Sequence, residues 1–298
     1  MSQIKDFAPK SLDHFVLLVE DLDAAAAAYR RLGFHVRPKA LHEDIGSSNC
    51  IIHFDKTYLE LIDLTGARED VAGPYLDRLR LGEGLVHVSF ESEGLEGEQA
   101  RLSDQGYSPW PILNARRAVT LPDGRREETA SRSFYLWRDD NRYLSLFFSD
   151  HRKPETIFIP EYVDHGSTAR EISRCVYVST LLDADRDYFS ACICAEPVEV
   201  SGDRLAWRGP RGDLTEILSV DAALRRYGSA LPSADPAPLA GVGVALHYAV
   251  ESISACRRML DEQGVPVRES DDGDLIVPAA DGVGCVTVFE PAGVGMNS

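Results

Sequence analysis

Apolar and polar positions along this chain fall into short alternating runs separated by helical stretches. Leu12-Asp-His-Phe-Val-Leu-Leu-Val19 reads as a strand. The stretch from Asp21 to Leu32 reads as a helix, with Asp21 as its cap, an alanine run favouring it and Gly33 ending it. After the extended Phe34-His-Val36, two further strands, Ser48 to Phe54 and Tyr58 to Leu64, flank the polar turn Asp55-Lys-Thr57. The order is βαβββ.

That order returns from Gly84, with a strand Leu85 to Phe90, a helix Gly97 to Gln105 stopped by Gly106, and strands Ser133 to Trp137 and Arg142 to Phe148. Tyr58-Leu-Glu-Leu61 and Tyr143-Leu-Ser-Leu146 match as repeat equivalents. Between them, Pro109 to Ala130 carries Pro122-Asp-Gly124 and mixed charge, which predicts a long excursion between strands and a candidate lid. Weaker copies follow. One runs through Ile172 to Val178, a helix near Ala184 to Cys194, and Leu214 to Leu218; the other runs through Gly243 to Tyr248, a helix Ser252 to Gln263, Leu275 to Val277 and Cys285 to Phe289. Arg174 falls in its half where His14 does and Gly264 where Gly106 does, at nearly equal spacings, so the first half reads as duplicated. The predicted organisation is a module over 11–150, a Pro- and Gly-bearing connector over 151–169 and a degenerate module over 170–292.

Composition narrows the function classes. The chain has 298 residues, 44% hydrophobic and 27% charged, ordinary values for globular protein. Lys and Arg number 31 against 48 Asp and Glu, a net charge of −17 that disfavours nucleic acid and anionic lipid as partners. No apolar run approaches the roughly 18 residues that span a bilayer, and the polar start lacks a secretory core, so a cytoplasmic location and no membrane partner are expected. Six cysteines without paired spacing are expected to be reduced.

Period-2 alternation decides which side chains converge. It puts His14 on a face with Leu12, Val16 and Leu18, and His87 with Ser89 and Glu91, while Tyr58 and Glu60 match Tyr143 and Ser145 on the final strands. His53 and His151 could reach the cleft mouth, with surface placement the default expectation. Paired βαβββ units with His in the first strand and Tyr-x-Glu in the fourth resemble the vicinal oxygen chelate (VOC) superfamily, which includes glyoxalase I and extradiol dioxygenases. His42-Glu-Asp-Ile-Gly-Ser-Ser-Asn49, Tyr58-Leu-Glu-Leu61 and His151-Arg-Lys-Pro-Glu155 are similar to its glyoxalase-like group.

The resemblance implies an α+β fold, with the four tandem βαβββ units making two half-open barrel modules. It places metal ligands at the positions of His14, Glu60, His87 and Ser145. Three of these are competent donors for a divalent transition metal such as Fe, Mn, Ni or Zn. Ser145 departs from the Glu that many relatives carry there, which weighs against a glyoxalase I mechanism. Asn49, Tyr58, Tyr143 and Ser145 are candidate contacts to a small-molecule substrate, and Arg116-Arg117 and Arg125-Arg126 are candidate carboxylate binders. In the second half Arg174, Ala245 and Thr287 replace His14, His87 and Ser145, leaving Glu216 opposite Glu60, so an Arg174–Glu216 ion pair is expected where the first half would hold a cation. The functional expectation is a metal-dependent enzyme of lyase, isomerase or dioxygenase type. A metal-free small-molecule binding or resistance-type protein is the alternative. Two modules can pair within or between chains, so a homodimer stays open.

Overall fold

A computed structural model describes residues 8–42, 46–68, 75, 78–80, 82–136, 145–233 and 241–292. The first βαβββ unit comprises β1 (Leu12–Leu18), α1 (Leu22–Arg31), β2 (Ala40–Leu41), β3 (Ser48–His53) and β4 (Tyr58–Asp63). The second comprises β5 (Gly84–Glu91), α2 (Leu95–Asp104), β6 (Leu113–Thr120), β7 (Arg126–Leu136) and β8 (Ser145–His151). In the third are β9 (Ala169–Ser179), α3 (Leu182–Ile193), β10 (Glu199–Val200), β11 (Arg204–Arg208) and β12 (Leu214–Ser219). After α4 (Val220–Tyr227) come β13 (Gly243–Val250), α5 (Ile253–Glu262), β14 (Arg268–Glu269), β15 (Leu275–Val277) and β16 (Val286–Pro291).

The strands form two eight-stranded mixed sheets, ordered β2-β3-β4-β1-β5-β8-β7-β6 and β10-β11-β12-β9-β13-β16-β15-β14. The second order repeats the first strand for strand, so the four units assemble as two half-open barrels of an α+β fold. At the centre of each, the opening strands of its two units run antiparallel, β1 beside β5 and β9 beside β13, and each unit closes with a parallel pair. Asp21 caps α1 by accepting from the amides of Asp23 and Ala24, and Gly33 ends the helix at φ +80°. The chain beyond joins the ladder at Ala40 rather than at Phe34.

The excursion over 109–130 is a hairpin, not an irregular lid. β6 and β7 pair along their length from Leu113↔Ser133 to Thr120↔Arg126, around a turn held by the Asp123 carboxylate accepting from the Arg125 amide. β6 is exposed at most of its positions and mixes polar and apolar side chains on both faces, which hides the alternation from a reading of hydrophobicity alone.

The two barrels share one core between their outer faces. Phe15, Leu17, Leu59 and Leu61 of the first sheet, Cys175, Tyr177, Trp207 and Phe289 of the second, and the buried sides of α1, α2, α3 and α5 belong to a single cluster. Phe34 joins the halves directly, its ring packing 5.9 Å from Phe54 and 4.8 Å from Tyr248.

The inner faces differ. In the second barrel Ala223 and Tyr227 of α4, with Ala230 and Leu231, pack against Val176, Val178, Val244, Ala245, Val286 and Val288. That barrel is plugged. The predicted Arg174–Glu216 pair is present at 3.5 Å, and Arg226 binds the same carboxylate at 2.7 Å, with Arg204 as a third partner. His247 is held by Tyr227 and Glu290, each at 2.9 Å. One equivalence needs correction: Ala245 pairs with Val286 as His87 pairs with Ser145, so Val286, and not Thr287, stands at the Ser145 position. The slip arises at the turn of residues 278–285, which feeds β16 one residue out of the expected step.

Replacing Phe34 by Ala removes ring contacts on both sides of the shared core and is expected to cost about 3 to 5 kcal/mol. Because the core is common, calorimetry should show one transition at lower temperature. Two separated transitions would contradict a shared core.

Candidate active site in the first barrel

The inner face of the first sheet surrounds a cavity of about 390 Å³. Register assembles its wall. His14 pairs with Tyr58, Val16 with Glu60 and Leu18 with Ile62 across the parallel β1–β4 ladder, so these side chains share the inward face. Ile51 pairs with Glu60 and Asn49 with Ile62, and on the far side Ser131, Ser133 and Tyr135 of β7 face inward beside His151, Ser149 and Phe147 of β8.

β1 carries a bulge at its start. Leu12 pairs with Phe90 and His14 with Ser89, which leaves Asp13 as the extra residue. Leu12 therefore turns into the shared outer core, away from the His14 face where strict alternation puts it. The bulge also brings the Asp13 carboxylate beside the His14 ring, 2.5 Å from Nδ1, and His151 Nε2 lies 3.0 Å from both Asp13 oxygens. His151 Nδ1 meets Ser131 Oγ at 2.9 Å. Asp13 is fully buried. Burial alone would raise its pKa, but the charges and hydrogen bonds of His151 and His14 hold it well below the usual carboxylate range. His151 moves the opposite way: burial works to lower its pKa, and the adjacent Asp13 raises it above 6.5.

His14 is clamped on three sides. Asp13 fixes Nδ1, the Tyr58 ring stacks on the imidazole at 4.2 Å, and Phe147 meets it edge-on at 4.8 Å. The cavity-facing nitrogen left for chemistry is Nε2. A carboxylate on the far nitrogen of an imidazole sets its tautomer and ring orientation. Glu60 is positioned similarly. Asn49 Nδ2 donates to its Oε1 at 2.6 Å, and His42 Nε2 lies 3.2 Å from the same amide, with His42 Nδ1 at 2.9 Å from Ser47 Oγ.

His14, Asn49, Tyr58 and Glu60 thus line one cavity. His87 and Ser145 sit deeper in the wall and are fully buried. The His87 ring lies among Tyr75, Tyr135 and Phe147 at 5.0, 5.1 and 5.7 Å, and burial pushes its pKa down to about 3, so it is a neutral imidazole. Ser145 Oγ has no hydrogen-bond partner among the described residues. Tyr143 lies outside the described residues. The expectation of surface positions for His53 and His151 is overturned. His53 is 1% exposed and its pKa falls to about 3 through burial, while His151 closes the cavity wall at the end of β8.

Sequence reasoning missed Asp13 and the site role of His42, and it placed His151 in the connector. Extending the inward parity of β8 from Ser145 through Phe147 and Ser149 reaches His151; no periodic signal reveals a bulged residue. The two arginine pairs separate. Arg117 faces the cavity with Leu113 and Ala115, whereas Arg116 faces Glu128 at 3.8 Å and Arg125 binds Asp123 at 2.7 Å on the exposed side. Asp13, His14 and His151 also form a compact donor group, their ligand atoms all within 4.8 Å of one another.

Comparison with known proteins agrees with this architecture. Residues 12–186 match the family model described as a glyoxalase-like domain. The chain is 33% identical over 96 residues to ethylmalonyl-CoA/methylmalonyl-CoA epimerase of Cereibacter sphaeroides, a match covering 32% of this chain and 70% of that protein. A hypothetical protein from Staphylococcus aureus superposes with a TM-score of 0.64 at 10% identity, over 94% of this chain and 98% of its own. A variant of 4-hydroxymandelate synthase from Streptomyces coelicolor superposes at 0.58 and 12% identity, over 97% and 96%. These likenesses to solved structures show the fold.

The buried Asp13–His151 pair has a defined pH signature. The lowered Asp13 contributes stability that is complete above its unfolded-state value near 3.8 and is lost as pH falls through the folded value. The raised His151 contributes stability that is complete below about 6.5 and is lost as pH rises through its folded value. The destabilisation of Asp13→Asn, about 2 to 3 kcal/mol, should therefore peak between these two values in urea titrations. A difference flat from pH 3 to pH 9, with His151 titrating at the same pH in both proteins by NMR, would refute the pair.

Proposed function

Because the chain belongs to the glyoxalase-like domain family of the VOC superfamily, we propose that its first barrel is the active site of a metal-dependent enzyme acting on a small oxygen-bearing molecule. The observation that carries this reading is the clamped His14, which presents one nitrogen to a cavity shared with Glu60. His14, Glu60 and His87 would hold the metal. Two imidazoles and a carboxylate suit Fe(II), Mn(II), Ni(II) or Zn(II), and His87 is in the neutral form that ligation requires. When bound, such an ion supplies Lewis-acid polarisation of substrate oxygens.

The residues around the site do the positioning. Asp13 sets the His14 tautomer, Asn49 holds the Glu60 carboxylate, and Tyr58, Phe147 and Ile51 present apolar surface that excludes water. Glu60 is the one carboxylate lining the cavity among the described residues, so it is the group able to take a proton from a bound substrate. The epimerase relative supports carbon-acid chemistry of that kind. With Ser in place of a second carboxylate at position 145, a two-carboxylate exchange between opposite faces is not favoured, and proton removal from one face, as in a lyase or a one-base isomerase, fits better.

A second reading follows from the compact donor group: the metal sits on Asp13, His14 and His151 instead. Reconstitution of metal-depleted protein with each of the four ions, followed by elemental analysis, separates the alternatives. A single bound ion per chain is expected, lost in His14→Ala, weakened about 10- to 100-fold or more in Glu60→Gln and His87→Ala, and by about 10- to 100-fold in Asp13→Asn, whose carboxylate acts through His14. Loss in His151→Ala with no change in His87→Ala would move the ion to the compact group. No stoichiometric metal in the native chain would leave a binding protein.

A further inference from the structure

The cavity of this acidic chain carries basic side chains. Glu60 is the single carboxylate among its described lining residues, against the guanidinium groups of Arg68 and Arg117, while Arg116 turns toward Glu128 on the exposed side. Of these, Arg117 is set apart by its place. Alternation along β6 turns it inward opposite Thr129, and it is half-buried. Its backbone carbonyl accepts from Thr129 Oγ1, but its guanidinium makes no hydrogen bond or ion pair with any described residue. Burial, the dominant influence, pushes its pKa down, and the charges of Glu60 and then Tyr58 oppose that. The second nearby guanidinium, Arg37, is engaged by the Thr120 carbonyl and lies 3.4 Å from the Tyr162 ring centroid. His53, held neutral mainly by burial and then by Arg117 and Arg37, adds no negative charge.

A half-buried guanidinium with no hydrogen bond or ion pair of its own is costly, and a planar carboxylate satisfies it with two parallel hydrogen bonds. Part of the same cavity wall is apolar: Ile51, Tyr58 and Ile157 form one cluster. We propose that Arg117 is the residue that receives a substrate carboxylate, so that the substrate class is a small monocarboxylate whose apolar body lies along Ile51, Tyr58 and Ile157 and whose oxygen-bearing end reaches His14 and Glu60. A monoanion is favoured over a phosphate because a dianion would leave one charge uncompensated near Glu60. The proposal deepens the enzyme reading above, and it rests on that reading for the reacting end alone.

Calorimetric titration of metal-depleted protein with 3-phenylpropanoate, its neutral amide 3-phenylpropanamide, and phenyl phosphate tests it without involving a metal. The expected result is a preference of about tenfold or more for the carboxylate over the amide. That preference should vanish in Arg117→Met and be partly kept in Arg117→Lys, which retains charge without the planar fork. Circular dichroism checks the fold of both variants, and the Lys variant keeps the test alive should the Met variant not fold. Equal affinity for acid and amide, no binding of any probe, or an unchanged preference in Arg117→Met would each overturn the assignment. Tighter, Arg117-dependent binding of phenyl phosphate would overturn the carboxylate class. A carboxylate preference appearing only after metal loading and lost in His14→Ala would overturn this proposal while leaving the metalloenzyme reading intact; failure of the native chain to bind metal would do the reverse.

Discussion

The arrangement of the first barrel depends on one buried carboxylate. Asp13 has no contact with solvent and carries its charge only because two imidazoles meet it, His14 from the neighbouring position and His151 from the far end of β8. An ionised carboxylate left alone in that place would cost several kcal/mol or take up a proton. The pairing does more than offset that cost. It ties β1 to β8 across β5, fixes the curvature of the sheet around the cavity, and dictates which nitrogen of His14 is available. A bulge makes it geometrically feasible, because a regular strand would send Asp13 to the opposite face.

The second barrel shows what the same backbone does with other side chains. Its opening strands repeat the bulge: Ile172 pairs with Tyr248 and Arg174 with His247, leaving Ser173 as the extra residue in the place of Asp13. Ser173 donates to Glu290, which in turn holds His247. The charge has moved from the bulged residue to β16, and the imidazole from β1's equivalent to β13. Arg174 occupies the His14 position and needs an anion, which Glu216 supplies together with Arg204 and Arg226. With Glu216 and His247 held within the protein and the apolar side chains of α4 packed on the inner face, the described residues of this barrel leave little room for a ligand. The first barrel satisfies its polar groups in pairs around a cavity; the second closes them on one another.

How much of this was legible in the sequence follows from where alternation holds. The four units, the helix caps, the inward faces of β4 and β8 and that of β1 from His14 to Leu18 obey simple periods, so the fold and the convergence of His14 with Glu60 could be read residue by residue. Asp13 could not, because a bulge breaks the period that reveals a face. His151 was placed outside the barrel because Pro154 follows it closely and suggests that the strand has ended, whereas the ladder persists to His151, paired with Ser131. The β6–β7 hairpin reads as an excursion because β6 is exposed at most positions and shows no clean alternation. Its signal was the Asp123-Gly124 turn, and reading that turn as a hairpin puts Arg117 and Thr129 on the inner face.

Net charge and local charge act at different ranges here. A chain at −17 repels anions at long range, but at physiological ionic strength that field decays over about 8 Å. Inside a cavity walled by apolar side chains, screening is weak and the nearest groups decide. Arg117 and Glu60 both line the cavity without forming a salt bridge, although the Glu60 charge is felt at Arg117. Opposite charges on β6 and β4 orient a polar molecule in the cavity, its negative group toward β6 and its acidic or electropositive part toward β4. The overall acidity then works as a filter. A compact molecule with one negative charge meets a small barrier on approach and a strong local partner once inside, whereas a polyanion meets the summed repulsion of the surface and finds only one unpaired guanidinium at the end of the path.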